Sequence, residues 1–205
     1  MNPQYWSQAT HALAASDAVL EKLIAQFDGL AVGSRGDAFA TLARAIVGQQ
    51  LSVKAAQSVW ERLRAELAAI SPAAIVSTEA ARLRACGLSG AKVIYLRDLA
   101  ERFEAKALDV AAWSRLDDDA VIERLTQVKG IGRWTAEMFL IFYMTRPDVL
   151  PLDDIGLQRA MRTHYNRGKP LSILRMRKIG AAWAPWRSVA TWYLWRSLDP
   201  IPLQY

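Results

Sequence analysis

The chain has 205 residues, of which 52% are apolar and 22% charged, and its formal net charge is +6. This composition predicts a globular protein with a substantial core and excludes a disordered chain. The single cysteine, Cys86, excludes a disulfide framework and a cysteine-ligated zinc or iron–sulfur site, and two histidines disfavour a His-rich metal site. No apolar run reaches the ~18 residues of a membrane span. The lone thiol predicts a reducing, cytoplasmic compartment, and the positive charge favours a polyanionic partner.

Apolar residues recur at helical spacing along most of the chain, and no convincing set of strands is found. The predicted fold is therefore all-α, a compact bundle of about ten helices. In chain order, helices are predicted over 19–27, from Asp37, from Ser52, after Ser71 and Ser77, over 93–103, from Asp117, over about 133–144, from Asp153 or Asp154, and over 172–183 and 186–197. Asp199 and Pro200 are predicted to end helicity.

A Gly-x-Gly turn, Lys129-Gly130-Ile131-Gly132-Arg133, separates two of these helices. Glycine permits positive φ and lets another backbone approach closely. The second glycine opens a helix, whose first N–H groups and dipole suit a phosphate oxygen. Ile131 is predicted to pack between the two helices, while Lys129 and Arg133 add positive charge. The alternative that these five residues leave open is an ordinary tight helix–helix connection.

An aspartate pair, Asp153 and Asp154, follows Pro151 and starts a later helix. One aspartate is expected as the N-cap, and we assign that role to Asp153. Asp154 is then available for chemistry, because a helix N-terminus stabilises an ionised carboxylate. A carboxylate facing a sugar that becomes oxocarbenium-like is what cleavage of an N-glycosidic bond requires.

Eight tryptophans are many for a chain of this length. Four of them fall within thirteen residues near the C-terminus: Trp183, Trp186, Trp192 and Trp195. They predict either a bulky core or an aromatic pocket.

Two stretches, QVKGIGRWTA at 127–136 and LPLDDIGLQR at 150–159, resemble the helix–hairpin–helix DNA glycosylase superfamily, and within it the DNA-3-methyladenine glycosylase II branch. Three further stretches agree. AIVGQQLS at 45–52 resembles the family's minor-groove loop, GLSGAKVIYL at 87–96 its middle helix entry, and PWRSVATWYLW at 185–195 its C-terminal helix. These matches span most of residues 37–197.

The resemblance implies one glycosylase domain over 1–205, built of two subdomains with a cleft between them. The helical subdomain would cover about 37–115 and the hairpin and catalytic helices about 117–197, with the N-terminal helices packed nearby. Asp154 takes the place of the family's catalytic aspartate, since Leu157 and Arg159 follow at the expected spacing. Trp134 stands where bifunctional members have a lysine nucleophile, which implies a monofunctional enzyme that uses water.

The family's other functional positions carry over as follows. DNA contacts fall on Gln49, Gln50, Leu51 and the hairpin residues 129–133, and either Gln50 or Leu51 would wedge into the duplex while the damaged nucleotide is turned out. For Leu51, a core position at a helix start is an equal alternative. Trp134, Trp195 and Met138 would line the base pocket, where indole faces attract cationic alkylated purines. No cofactor is required, although the backbone carbonyls of Thr126, Val128 and Ile131 would hold a structural Na⁺ or K⁺ ion.

These features together predict a monomeric DNA repair glycosylase with no membrane partner. It would flip alkylated purines of the 3-methyladenine and 7-methylguanine class out of double-stranded DNA and hydrolyse the N-glycosidic bond, leaving an abasic site. One alternative is a non-enzymatic helix–hairpin–helix DNA-binding module, which explains the hairpin and the charge but not Asp154. Another is a glycosylase for other damaged bases, and a third is a small-molecule enzyme with a Trp-lined pocket.

Overall fold

A computed structural model of the chain describes residues 3–33 and 36–198, and within these ranges all regular secondary structure is helical. One 3₁₀ helix covers Val110–Arg115. The twelve α-helices of the described residues are α1 (Trp6–Ser16), α2 (Ala18–Gln26), α3 (Ala38–Gly48), α4 (Val53–Leu67), α5 (Pro72–Ser77), α6 (Ala80–Ala85), α7 (Gly90–Glu104), α8 (Asp118–Thr126), α9 (Arg133–Phe142), α10 (Ile155–Tyr165), α11 (Ile173–Ala181) and α12 (Arg187–Leu198).

The prediction of an all-α fold is confirmed, but the count of about ten was too low. The helix α1 was not predicted. Its buried residues are Trp6, Ala9 and Leu13, and the alanine makes the apolar pattern of this helix weak. The 3₁₀ helix was missed as well. None of the described helices is both long and apolar enough to cross a membrane. The predicted end of helicity at Asp199 and Pro200 lies outside the described residues.

Side-chain caps fix most helix starts at the residues that the sequence indicated. Asp37, Ser52 and Asp117 each accept a hydrogen bond from the backbone three residues ahead, an arrangement that contributes about 0.5–2 kcal/mol per helix. The assignment of the α10 cap was wrong. Asp154, not Asp153, accepts from the Leu157 N–H and caps the helix, whereas Asp153 is exposed.

The chain divides into two compact units. The middle unit covers residues 36–139, and the outer unit combines residues 3–33 with residues 140–198. Within the middle unit, α7 packs against α3 and α5. The ring of Phe103 on α7 meets that of Phe39 on α3 edge-on, with centroids 5.3 Å apart. The subdomain limits and the cleft implied by the resemblance stay predictions.

Within the outer unit, α12 is the central helix and packs against α1, α2 and α10. Its residues from Ser188 to Arg196 are all buried. Three of the four clustered tryptophans pack in the interior or against it. Trp192 meets Trp6 edge-on at 5.3 Å, Trp186 stacks on Tyr5, and the Trp183 indole N–H donates to Asp17. The core interpretation therefore holds for these three, and Trp195 is buried as well, at 3% exposed.

Candidate active site and nucleic-acid interface

Asp154 lies buried at the start of α10, with 5% of its surface exposed. Its Oδ1 accepts two hydrogen bonds, one from the backbone N–H of Leu157 at 2.6 Å and one from the indole Nε1 of Trp195 at 2.7 Å. The first bond places the carboxylate at the positive end of the helix dipole. The second comes from another helix, so the carboxylate is fixed in orientation from two directions.

Two neighbours make the contact between Asp154 and Trp195 possible. A Cβ atom on Gly156 would lie 3.0 Å from Asp154 Oδ1 and 3.2 Å from Trp195 Cδ1, closer than side chains normally pack. The absence of a side chain at Gly156 thus leaves room for the indole to reach the carboxylate. Phe142 stacks on Trp195, with the two ring centroids 5.7 Å apart and the ring planes nearly parallel. Trp195 is 3% exposed and held on its face and its edge.

The segment that leads into Asp154 is tied to the first turn of α12. Asp148 accepts two hydrogen bonds from the Arg187 guanidinium, at 2.7 and 2.8 Å, and a third from the Arg187 backbone N–H. The Ser188 hydroxyl accepts from the Val149 N–H at 2.8 Å. Ser188 and Trp195 are seven residues apart and therefore share one face of α12. Ser188 and Trp195, on one face of α12, thus hold the loop before α10 at Val149 and at Asp154.

The hairpin at 128–132 is built on glycine where the backbone demands it. Gly130 has φ +81°, and a side chain there would collide with the ring of Tyr95 on α7. Gly132 lies directly before α9 and accepts the Ala136 N–H through its carbonyl. It has no side chain to cap the first N–H groups of α9, which is the arrangement predicted for a phosphate site.

Side chains from α7 and from the end of α3 brace this hairpin and the turn before α4. Asp98 accepts from the Lys129 backbone N–H at 3.0 Å, and its other oxygen lies 4.0 Å from Lys129 Nζ. Gln49, predicted as a DNA contact, donates through Nε2 to the Gly130 carbonyl at 2.8 Å. Lys92 donates to the carbonyls of Val47 and Gln49 at 2.8 and 2.7 Å. Burial lowers the pKa of the Lys92 ammonium.

The loop before α4 presents two of its predicted DNA contacts to solvent. Gln50 is exposed at the apex of the turn with φ +57°, an uncommon conformation for a side chain other than glycine. Leu51 is 39% exposed, so the alternative that it is a core leucine is wrong. An exposed leucine on a braced turn is consistent with a wedge.

Arg133 differs from the expectation that it adds free positive charge. Its Nε lies 3.1 Å from Glu137 Oε1, and its Nη2 lies 3.2 Å from Asp119 Oδ1. Its charge is therefore offset within the same unit. The sequence offered a signal for the first pair, because Arg133 and Glu137 are four residues apart on one helix.

The remaining predicted site residues lie on α8, on α9 and in the hairpin between them. Trp134 is partly exposed on the first turn of α9, and Met138 is buried one turn later. Ile131 is buried in the hairpin, as expected for its packing role. Thr126 ends α8, and the carbonyl of Val128 accepts the Ile131 N–H at 3.1 Å.

Sequence reasoning missed four residues that shape these sites: Lys92, Asp98, Ser188 and Gly156. The first two are ordinary polar residues on an amphipathic helix, and only the folded contacts reveal their roles. Gly156 carried a weak signal, since glycine is less favourable than alanine in a helix.

An all-helical fold with a braced Gly-x-Gly hairpin and a buried aspartate at a helix start is the arrangement of a helix–hairpin–helix protein. A family model described as HhH-GPD superfamily base excision DNA repair protein matches residues 43–185. The chain belongs to this superfamily, and the resemblance found in the sequence is confirmed.

Named relatives point the same way. The chain is 34% identical to DNA-3-methyladenine glycosylase 1 of Schizosaccharomyces pombe over 186 residues, which cover 87% of this chain and 80% of that protein. The crystal structure of a DNA-3-methyladenine glycosidase from Bacillus halodurans matches with a TM-score of 0.86 at 34% identity, covering 93% and 89% of the two chains. A 3-methyladenine DNA glycosylase of S. pombe in complex with abasic DNA matches with a TM-score of 0.77 at 31% identity, covering 93% and 96%.

Proposed function

We propose that this protein is a monofunctional DNA glycosylase that excises alkylated purines, of the 3-methyladenine and 7-methylguanine class, from duplex DNA. The observation that carries the proposal is the buried carboxylate of Asp154, held at the start of α10 by the Leu157 N–H and the Trp195 indole. The names of the similar S. pombe and B. halodurans proteins support the substrate class.

Asp154 would act on the sugar. As the N-glycosidic bond breaks, the deoxyribose gains positive charge, and a fixed anion close to it lowers the energy of that transition state. The two hydrogen bonds orient the carboxylate before substrate arrives, so little reorganisation is needed during the reaction. The same carboxylate can orient the water that attacks the sugar. An alkylated purine already carries positive charge and leaves readily, so no general acid is required.

The departing base would be held by aromatic rings. Trp134 and Trp195 are proposed as pocket walls, and a cationic ring over an indole face gains about 0.5–2 kcal/mol. Because Trp195 stacks on Phe142 and is 3% exposed, the partly exposed Trp134 is proposed as the main wall. Met138, where some relatives have a pocket tyrosine, would then influence which bases are accepted.

The product is proposed to be an intact abasic site. Lyase activity in the bifunctional branch needs a lysine amine two residues after the second hairpin glycine, and Trp134 occupies that position here. Lys92, the lysine of α7, is engaged by two backbone carbonyls and does not offer a free amine. Water is therefore the proposed acceptor of the sugar.

The hairpin is proposed to hold a backbone phosphate with the N–H groups at the start of α9, and Leu51 to fill the space left by the flipped nucleotide. A Na⁺ or K⁺ ion on the carbonyls of Thr126, Val128 and Ile131 would strengthen the phosphate site. The end of α8 supplies partial negative charge at this place, which suits a monovalent cation. We further propose that the protein is a monomer that acts on DNA in the cytoplasm.

The test uses DNA treated with a methylating agent. The wild-type protein is incubated with it, and the released bases are separated and identified by chromatography. We expect 3-methyladenine and 7-methylguanine in the wild-type supernatant and none with Asp154→Asn, which keeps the helix cap because asparagine also caps helices. The matched control is Asp153→Asn, the exposed neighbour, which should release bases at the wild-type rate.

Each different result would revise a specific part of the proposal. DNA binding without any base release would favour a non-enzymatic binding module. Release of neutral oxidised or mismatched bases alone would favour a glycosylase of different specificity. Strand scission at the abasic site without added base would contradict the monofunctional assignment.

A further inference from the structure

The positive charge of this chain is concentrated in one segment. Residues 155–198 hold nine of the 26 lysines and arginines and none of the 20 aspartates and glutamates. The rest of the chain therefore has 17 basic and 20 acidic residues. Without this segment the chain would carry a net negative charge, so the overall value of +6 is a local property of α10, α11 and α12.

Most of these basic side chains lie in solvent. Arg187 and Arg196 are partly or fully buried in contacts of the outer unit, whereas the other seven are exposed. We call these seven the basic face: Arg159, Arg162, Arg167, Lys169, Arg175, Arg177 and Lys178. No ion pair joins any of the seven to a carboxylate of the described residues.

The basic side chains of the hairpin, in contrast, lie beside carboxylates. Lys129 lies beside Asp98, and Arg133 is paired with both Asp119 and Glu137. Pairing with carboxylates leaves the hairpin with little net charge to attract a polyanion from solution. The helix N-terminus can hold a single phosphate there, but long-range attraction to DNA must come from charges that are not offset.

The basic face begins beside the proposed catalytic carboxylate. On α10, residues 155, 159 and 162 follow Asp154 at helical spacing and share one exposed side. With a rise of about 1.5 Å per residue, Arg159 and Arg162 lie roughly 7 and 12 Å along the helix axis from Asp154. Ile155, on the same side, is 81% exposed. A duplex that delivers a sugar to Asp154 must therefore pass close to this side of α10.

The helix α11 continues the charge. Its buried residues are Met176 and Gly180, and Arg175, Arg177 and Lys178 are exposed around them. Gly180 allows α11 to pack directly on Leu150 of the loop before Asp154, where a Cβ would collide with the leucine side chain. The basic residues of α11 are thus fixed to the same loop that carries the aspartate.

We propose that the basic face is a second DNA-binding surface, which contacts backbone phosphates independently of the Gly-x-Gly hairpin and supplies most of the salt-dependent affinity. The partner is duplex DNA without regard to sequence or damage, since phosphate contacts position a protein but read no bases. This inference rests on the proposed function only in taking DNA as the partner.

The test measures binding to an undamaged duplex as a function of salt. The logarithm of the binding constant falls with the logarithm of salt concentration by about 0.9 for each phosphate contact. The triple variant Arg175→Gln, Arg177→Gln, Lys178→Gln should flatten this slope by roughly 1 to 3. The pair Arg159→Gln, Arg162→Gln should flatten it by roughly 1 to 2.

The control variant loses three positive charges, as the α11 triple variant does, but from the middle unit. Arg64, Arg84 and Arg115 are exposed in the middle unit and form no ion pair with the described residues. The triple variant with glutamine at these three positions should keep the wild-type slope to within about 0.5, since it loses net charge but no phosphate contact. Thermal unfolding checks that every variant is folded, and the α10 pair replaces the α11 triple if the latter is not.

The measured salt slopes decide whether the basic face binds DNA. An unchanged slope in both basic-face variants, or an equal change in the control, would overturn the proposal. Binding of the basic face to vesicles rich in phosphatidylserine but not to duplex DNA would also overturn it, in favour of an anionic membrane. The assay involves no base release, so its result does not depend on whether the wild type excises methylated purines.

Discussion

Replacing Trp195 with phenylalanine isolates one hydrogen bond to the proposed catalytic carboxylate. Phenylalanine keeps an aromatic ring against Phe142 but cannot donate to Asp154 Oδ1, which Trp195 Nε1 now reaches at 2.7 Å. The Leu157 N–H still caps the carboxylate, so α10 should form normally. The expected defect is in the position of Asp154 and not in folding.

The magnitude follows from the type of bond. A hydrogen bond to a charged group contributes about 1.5–3 kcal/mol. If that energy is used to hold Asp154 against the charged sugar, the excision rate should fall roughly 10- to 150-fold, since about 1.4 kcal/mol corresponds to a factor of ten. The measurement is the single-turnover rate of base release at saturating protein, together with the affinity for lesion DNA, which should change little.

The matched control is Trp192→Phe, the same substitution one turn earlier on α12. Trp192 is 9% exposed and packs edge-on against Trp6, so any loss there reports on packing in the interior of the outer unit. If Trp195→Phe excises within twofold of the wild type, the indole N–H does not position Asp154. The same conclusion holds if Trp192→Phe slows excision to the same degree.

Three further substitutions, the first with a matched control, test the close packing of glycines and the brace on the turn before α4. Gly130→Ala should destabilise the protein by more than about 1 kcal/mol and weaken DNA binding, because φ is positive and the new methyl group meets Tyr95; in Gly132→Ala, where nothing lies within 4 Å, denaturant unfolding should show no such loss. Gly156→Ala should leave the unfolding midpoint near the wild-type value, because a gain in helix propensity of at most about 1 kcal/mol offsets the crowding. Its excision rate should fall as the carboxylate is displaced, and a wild-type rate would count against the packing seen around it. Lys92→Met leaves two carbonyls without their donor and should cost about 1–3 kcal/mol of unfolding free energy, with slower base flipping measured by the fluorescence of 2-aminopurine beside the lesion. Unfolding and flipping both equal to the wild type would show that the ammonium does not brace the turn.

Local signals in the sequence predicted the helices well. Apolar spacing and capping residues act over a few positions, so starts such as Asp37, Ser52 and Asp117 could be identified without knowing the fold. The apolar run of α9 indicates burial in the same local way, and residues 135–142 are all buried. The failure at Asp153 and Asp154 has a simple cause. Both residues have the side chain of a cap, and one residue of shift in the chain path decides which of them meets the Leu157 N–H.

The sequence by itself determined the all-helical architecture, the Gly-x-Gly hairpin and the family, because these depend on local spacing and on motifs of contiguous residues. Only the tertiary structure decided which tryptophan reaches Asp154. Trp183, Trp186, Trp192 and Trp195 have the same chemistry. The first two precede α12, and of the two on α12 it is Trp195 whose indole N–H donates to Asp154 at the start of α10. The tertiary structure also decided which positive charges are offset. The sequence predicted that Arg133 adds charge at the phosphate site, but in the fold its guanidinium is paired with Asp119. Contacts between residues distant in the chain depend on how helices pack, and no local pattern encodes them.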